Sequence, residues 1–131
     1  MHPFRQAVEA RDTDAMTALL ADDVVFTSPV AYKPYPGKAI TAAILRGVLR
    51  VFEDFRYVRE IGDPDGHDHA LIFEAKVDGK TVNGCDFIHT DDDGLIDDFM
   101  VMVRPLSGAQ ALAEAMGAQF DRIQREALGE A

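Results

Sequence analysis

Residues Gly79–Pro105 read GKTVNGCDFIHTDDDGLIDDFMVMVRP. Two runs of alternating apolar and polar residues flank the acidic knot Asp91-Asp92-Asp93. One further acid, Asp86, stands among the apolar members of the first run. Asp93-Gly94, and Asp78-Gly79 just upstream, are two-residue turn signals, because tight hairpin turns need φ > 0 at both positions. With the turn at Asp78-Gly79, Val77 faces Lys80, Ala75 faces Val82, Phe73 faces Gly84 and Leu71 faces Asp86. With the turn at Asp93-Gly94, Thr90 faces Asp97, Ile88 faces Phe99, Asp86 faces Val101 and Gly84 faces Val103. Side chains alternate across a sheet, so each pairing set shares one face. The two hairpins, read separately, agree. Face one carries Leu71, Phe73, Ala75, Val82, Gly84, Ile88, Phe99, Val101 and Val103 around Asp86. Face two pairs Glu74 with Asn83, Ile72 with Cys85, Phe87 with Met100, Cys85 with Met102 and His89 with Asp98.

Outward from this meander the other elements follow. His2-Pro3-Phe4 opens a helix with Phe4, Ala7 and Val8 inward, Pro3 lying in the first turn where its missing N–H costs little. Asp12-Thr13 caps a short second helix that turns Ala15, Met16, Leu19 and Leu20 inward. Val24–Ser28 is a short strand. In PVAYKPYPG, residues 29–37, three prolines and a glycine exclude regular structure. A third helix from Lys38 carries Ile40, Ile44, Leu45, Val48, Phe52 and Phe55 at helical spacing. A weak strand near 56–62 precedes strands at about 67–77, 80–91 and 95–104. The last helix starts at Ser107, which forms a capping-box pattern with Gln110, and its stripe is Ala109, Leu112, Ala113, Met116, Phe120 and Ile123. Helices segregated from an antiparallel meander make an α+β fold.

The 131 residues suit one domain, 1–131. Acids outnumber bases 23 to 13, for a net charge of −10. That balance disfavours nucleic-acid backbones and anionic membranes, which need clustered Lys and Arg. The single cysteine, Cys85, fits a reducing cytoplasm, and no apolar run is long enough to span a membrane.

Asp86 has two readings. It is a core acid satisfied by a backbone group or a tyrosine hydroxyl, or a proton donor at the floor of a pocket. Ser28 either faces a cavity or merely ends its strand. Tyr32 and Tyr35 either close a cavity mouth or pack on helices. His89 and Asp98 form a cross-strand pair on face two, with Glu74 and Arg104 on the same face. Asp97 falls formally on face one, near the turn. Cys85 lacks a base beside it, so a nucleophile is not expected. Asp91, Asp92 and Asp93 belong to a solvated turn whose spacing does not match a calcium loop, so no metal and no cofactor is expected.

The stretches FRQAVEARDTDAMTALLADDVVFTSPVAYKPYPGK, from Phe4, and GCDFIHTDDDGLIDDFMVMVRPLS, from Gly84, resemble the SnoaL-like polyketide cyclases of the nuclear-transport-factor-2-like superfamily. The resemblance covers nearly the whole chain. It implies a cone-shaped, curved antiparallel sheet wrapped around helices, with an apolar cavity, and it implies dimers. Against the ketosteroid isomerases of that superfamily, Ser28 matches the aspartate general base, Phe4 matches the tyrosine that bonds the oxyanion, and Asp86 matches the second, protonated donor. One role of three is kept, which disfavours ketosteroid isomerisation.

Two functions are therefore expected as alternatives. One is a cofactor-independent enzyme of isomerase, cyclase or hydrolase type acting on a small apolar, carbonyl-bearing molecule. Asp86 would be its acid or hydrogen-bond donor, Ser28 its helper, and Tyr32, Tyr35, Phe4, Leu71, Phe73, Phe99 and Val101 its ligand wall. The other is a non-catalytic domain that binds a small ligand or a partner. Face two, with Ile72, Cys85, Phe87, Met100 and Met102, is too apolar to leave in water. A homodimer would bury it, unless the segment after Ile123 folds over it.

Overall fold

The first hairpin register holds in full. In the computed structural model, which describes residues 1–129, Val77 pairs Lys80, Ala75 pairs Val82, Phe73 pairs Gly84 and Leu71 pairs Asp86. Asp78 and Gly79 adopt φ of 50° and 75°, the left-handed turn the dipeptide announces. In the second hairpin Ile88–Phe99, Asp86–Val101 and Gly84–Val103 pair as expected, but Thr90 pairs Ile96 rather than Asp97. The turn is wider than two residues. Asp91 Oδ1 accepts from the N–H groups of Asp93 and Leu95, both at 2.9 Å, and holds it open. The resulting register shift turns Asp97 toward face two, where His89 Nδ1 lies 2.6 Å from Asp97 Oδ1. The side-chain partner of His89 is thus Asp97, although Asp98 is its neighbour in register.

The elements are α1 (Pro3–Glu9), α2 (Thr13–Ala18), β1 (Leu20–Thr27), β2 (Tyr35–Pro36), α3 (Lys38–Val51), β3 (Glu53–Ile61), β4 (Asp68–Val77), β5 (Lys80–Thr90), β6 (Ile96–Arg104) and α4 (Leu106–Ala127). The expected domain end, 131, lies outside the described residues. Six strands make one curved, unclosed sheet in the order β2-β1-β6-β5-β4-β3. All neighbours are antiparallel except β1 and β6, which run parallel. Most of the chain separates these two strands, so no hairpin fixes their relative direction.

Several boundaries depart from the sequence pattern. Leu20 opens β1 instead of extending α2, and β1 begins four residues before Val24. The proline-rich segment contributes the short β2, because Tyr35 and Pro36 sit at the sheet edge, where a missing N–H is tolerated. Helix α3 stops at Val51; Phe52 is its extended C-cap and Phe55 belongs to β3. Helix α4 begins at Leu106 with Pro105 as N-cap and no side-chain cap, so Ser107 and Gln110 form no capping box. Caps behave as expected at α1, where Pro3 is in the first turn, and at α2, where Asp12 Oδ1 accepts from Ala15 N–H at 3.0 Å.

The core lies between face one and the helices. Leu71, Phe73, Ala75, Val77, Val82 and Ile88 are buried against Ala42, Ala43, Ile44 and Leu45 of α3 and Leu112 and Ile123 of α4. Helix α4 is tied to α3 by Glu126, which bonds Arg46 at 3.0 Å and pairs with Arg50 at 3.1 Å. It therefore packs on the helical side and leaves face two uncovered.

Candidate functional site

Helices and sheet do not fill the space between them. They enclose an apolar cavity of about 270 Å³. Its wall draws on every layer of the fold: Phe4 and Val8 from α1, Phe26 from β1, Ile44 and Leu45 from α3, Phe73 from β4, Phe99 and Val101 from β6, and Met116, Phe120 and Ile123 from α4. Among the described residues Asp86 of β5 is its sole carboxylic acid.

Asp86 is 6% exposed. Tyr57 Oη donates to Asp86 Oδ2 at 2.8 Å; Oδ1 has no hydrogen-bond partner among the described residues. Burial among apolar groups disfavours the charged form, and the Tyr57 bond, which favours it, compensates only in part. The carboxyl is raised from its ordinary 3.8 to about 7. Tyr57 is pushed well above its ordinary value by burial and by the neighbouring acid, so it stays a hydrogen-bond donor. Near neutrality Asp86 can exist as acid or as carboxylate and can present either to whatever occupies the cavity.

Tyr57 is the residue the sequence pattern did not single out. On β3 it alone is buried, among exposed Arg56, Val58, Arg59 and Glu60. Register shifts fall between Glu53 and Arg56 and again between Tyr57 and Arg59, and Asp54 takes φ of 52°. Such bulges re-aim side chains and break the two-residue period by which a strand is found. They also carry Phe55 inward, to stack on Phe73 at 4.8 Å between ring centroids and to meet Tyr57 edge-on at 5.0 Å. Phe52 completes the group, 5.4 Å from Phe73. Arg5 lies over the Tyr57 ring at 5.9 Å and bonds Glu9 at 2.9 Å, which ties the tyrosine to α1.

The other named residues divide. Phe4, Phe73, Phe99, Val101, Tyr35 and Ser28 all line the cavity. Ser28 Oγ accepts from Val30 N–H at 3.1 Å and Ala31 N–H at 3.3 Å, so it shapes the loop, and its own proton has no acceptor among the described residues. Two do not belong to the wall. Tyr32 is 97% exposed, because it stands on the outside of the 29–37 loop. Leu71, although on the face of Asp86, is fully packed and borders no open space. On face two Phe87 and Met102 are 38% and 54% exposed. Arg104 bonds Asn83 at 3.0 Å, and Glu74 bonds Arg56 at 2.6 Å. Among the described residues no three His, Cys, Asp or Glu side chains gather as a metal-ion site, and no helix is long and apolar enough to cross a membrane.

The family model of the SnoaL-like domain matches residues 2–99. The structure of a steroid delta-isomerase from Pseudomonas aeruginosa is 45% identical, covering 91% of this chain and 87% of that one, with a TM-score of 0.85. A protein with a cystatin-like fold from Silicibacter pomeroyi DSS-3 is 41% identical, covering 91% and 86%, with a TM-score of 0.84. An NTF2-like protein from Cytophaga hutchinsonii is 21% identical over 79% of this chain and 85% of its own, with a TM-score of 0.59, which bears on the fold alone. No curated protein matches this chain.

Proposed function

This chain belongs to the SnoaL-like domain family, and from that membership we propose that it takes a small apolar, carbonyl-bearing molecule into its cavity and acts on it with Asp86 as acid or hydrogen-bond donor. The observation that carries the proposal is the Asp86–Tyr57 pair, 2.8 Å apart and buried in an otherwise apolar wall. A carbonyl oxygen that gains negative charge during isomerisation, ring closure or hydrolysis is stabilised by a preorganised donor in a site that excludes water. Protonated Asp86 is such a donor, and Tyr57 holds its other oxygen. Ser28, whose proton has no acceptor among the described residues, is proposed as an auxiliary donor. The Pseudomonas aeruginosa neighbour bears the name steroid delta-isomerase. Ser28 and Phe4 stand in this chain where the isomerase resemblance asks for a base and a tyrosine, so no steroid is assigned.

A second reading, binding without turnover, is favoured by one observation: the described cavity wall holds no carboxylate besides Asp86 to take a proton from carbon. One experiment addresses both. The neutral naphthalene ketone prodan reports binding by fluorescence, and exchange of its α-hydrogens in heavy water reports turnover. Affinity should fall about tenfold from pH 5.5 to about 8.5, as Asp86 loses its proton, and the Asp86→Asn variant should lose that dependence. Exchange accelerated by wild type and not by the variant marks an enzyme; binding without exchange marks a carrier. Affinity that follows the same pH curve in both proteins would refute the role of Asp86.

We further propose that the whole chain, 1–131, forms one domain and that two copies pair through face two. The exposed Phe87 and Met102 support this, and so does α4, which is engaged on α3 and cannot cover that face. In such a dimer His89, Asp98, Glu74 and Arg104 lie nearer the rim. The single Cys85 suits a reducing compartment such as the cytoplasm.

A further inference from the structure

Half of the cavity-lining residues are buried and most of the others half-buried; three are exposed, Val30 on the 29–37 loop, and Ala113 and Gly117 on α4. The most exposed of the wall residues mark where the cavity opens. The mouth therefore lies between that loop and the middle of α4. Ala113 and Gly117 are one helical turn apart and share a face. Tyr35 and Phe120, 6.2 Å apart between ring centroids, stand on one flank.

Gly117 has no structural reason to be glycine. Glycine is among the poorest helix formers, and α4 otherwise runs unbroken from Leu106 to Ala127. Other helical glycines are accounted for by packing. A Cβ on Gly47 would lie 2.8 Å from Ile123 Cδ1, and one on Gly108 would collide with Val82. A Cβ on Gly117 would meet no atom within 4 Å. Because Gly117 both lines the cavity and is exposed, a side chain there would stand at the cavity's edge. A second, independent feature points to a ligand behind it: Asp86, 6% exposed, faces the same cavity with Oδ1 unpartnered among the described residues.

We propose that Gly117 is the aperture residue of the cavity, setting the width of the molecule admitted, with Ala113 and Val30 as the other sides of the mouth. This rests on the proposal that the cavity is a ligand site, and it narrows the ligand class. The rim is apolar and the chain carries a net charge of −10, so the molecule that passes is neutral, with its hydrogen-bonding group leading toward Asp86. At about 270 Å³ the cavity lies just below the usual span of ligand pockets, about 300–1,000 Å³. A compact one- or two-ring ketone fits that description better than an extended chain.

The test is stopped-flow binding of prodan to wild type, Gly117→Ala and Gly117→Leu, with cyclohexanone as a smaller competitor. Gly117→Leu should slow both association and dissociation of prodan about tenfold or more, a barrier change at the mouth. Cyclohexanone affinity should stay within about threefold of wild type, and Gly117→Ala should fall between. Neither variant should melt below wild type, since the new side chain enters open space on a helix; a lower melting temperature in both would overturn the open mouth. Unchanged prodan rates in Gly117→Leu, with the pH dependence of binding still lost in Asp86→Asn, would overturn the aperture and leave the cavity site standing. If wild type binds neither ketone, aperture and cavity site fall together.

Discussion

Asp86 is buried on face one, with one carboxyl oxygen bonded to Tyr57 at 2.8 Å and the other directed at the cavity without a partner among the described residues. Two turn dipeptides fixed its face, and that face proved buried. Its partner was not legible: Tyr57 sits on a strand whose bulges and charged neighbours hide its inward direction. Together they make two predictions. Asp86 keeps its proton up to about pH 7 in the folded chain and only to about 3.8 when unfolded. Between those values the native state binds the extra proton, so unfolding free energy falls as pH rises through the window and levels off above it. Urea titrations of Asp86→Asn should lack that slope; a variant that keeps it would show that another group is responsible. The Tyr57 bond favours the carboxylate, so Tyr57→Phe should move the midpoint of the prodan pH profile upward, by about one unit. A midpoint that stays put or moves down would refute the coupling.

At the scale of elements, residues with one dominant local signal were readable and those governed by distant contacts were not. The left-handed turn at Asp78-Gly79 and the Asp12 cap need only their neighbours. The end of α3 depends on the aromatic group that Phe52 and Phe55 form with Phe73, a contact between residues far apart in sequence, and their three-residue spacing imitates a continuing helix. The Asp91 side chain widened a turn that the dipeptide Asp93-Gly94 alone would make tight. Gly84 supports the same aromatic group, because any Cβ there would collide with the Phe73 ring. Gly84→Ala should cost about 1–3 kcal/mol in urea denaturation through overpacking. Gly117→Ala, with open space around it, should instead stabilise by about 0.5–1 kcal/mol. Equal effects at the two glycines would mean that the space around them is not as described.

For the whole molecule, the α+β class, the meander and the helical cover were legible because alternation and helical periodicity are carried by many residues at once. The mouth of the cavity was not, since it depends on how α4 lies against a loop some eighty positions away. The proposed dimer belongs to this scale. Met100→Glu, placing a charge in the centre of face two, should shift sedimentation from dimer to monomer with little change in prodan affinity. A wild-type monomer at high micromolar concentration would contradict the pairing. Sheet, helices and the bulged edge strand together bury Asp86 and raise its titration to about pH 7, so that acid and carboxylate coexist near neutrality. A carbon-13 NMR titration of the Asp86 carboxyl tests it most directly. The midpoint should lie near pH 7, as burial dictates; a midpoint at or below the ordinary value of about 3.9 would contradict the account.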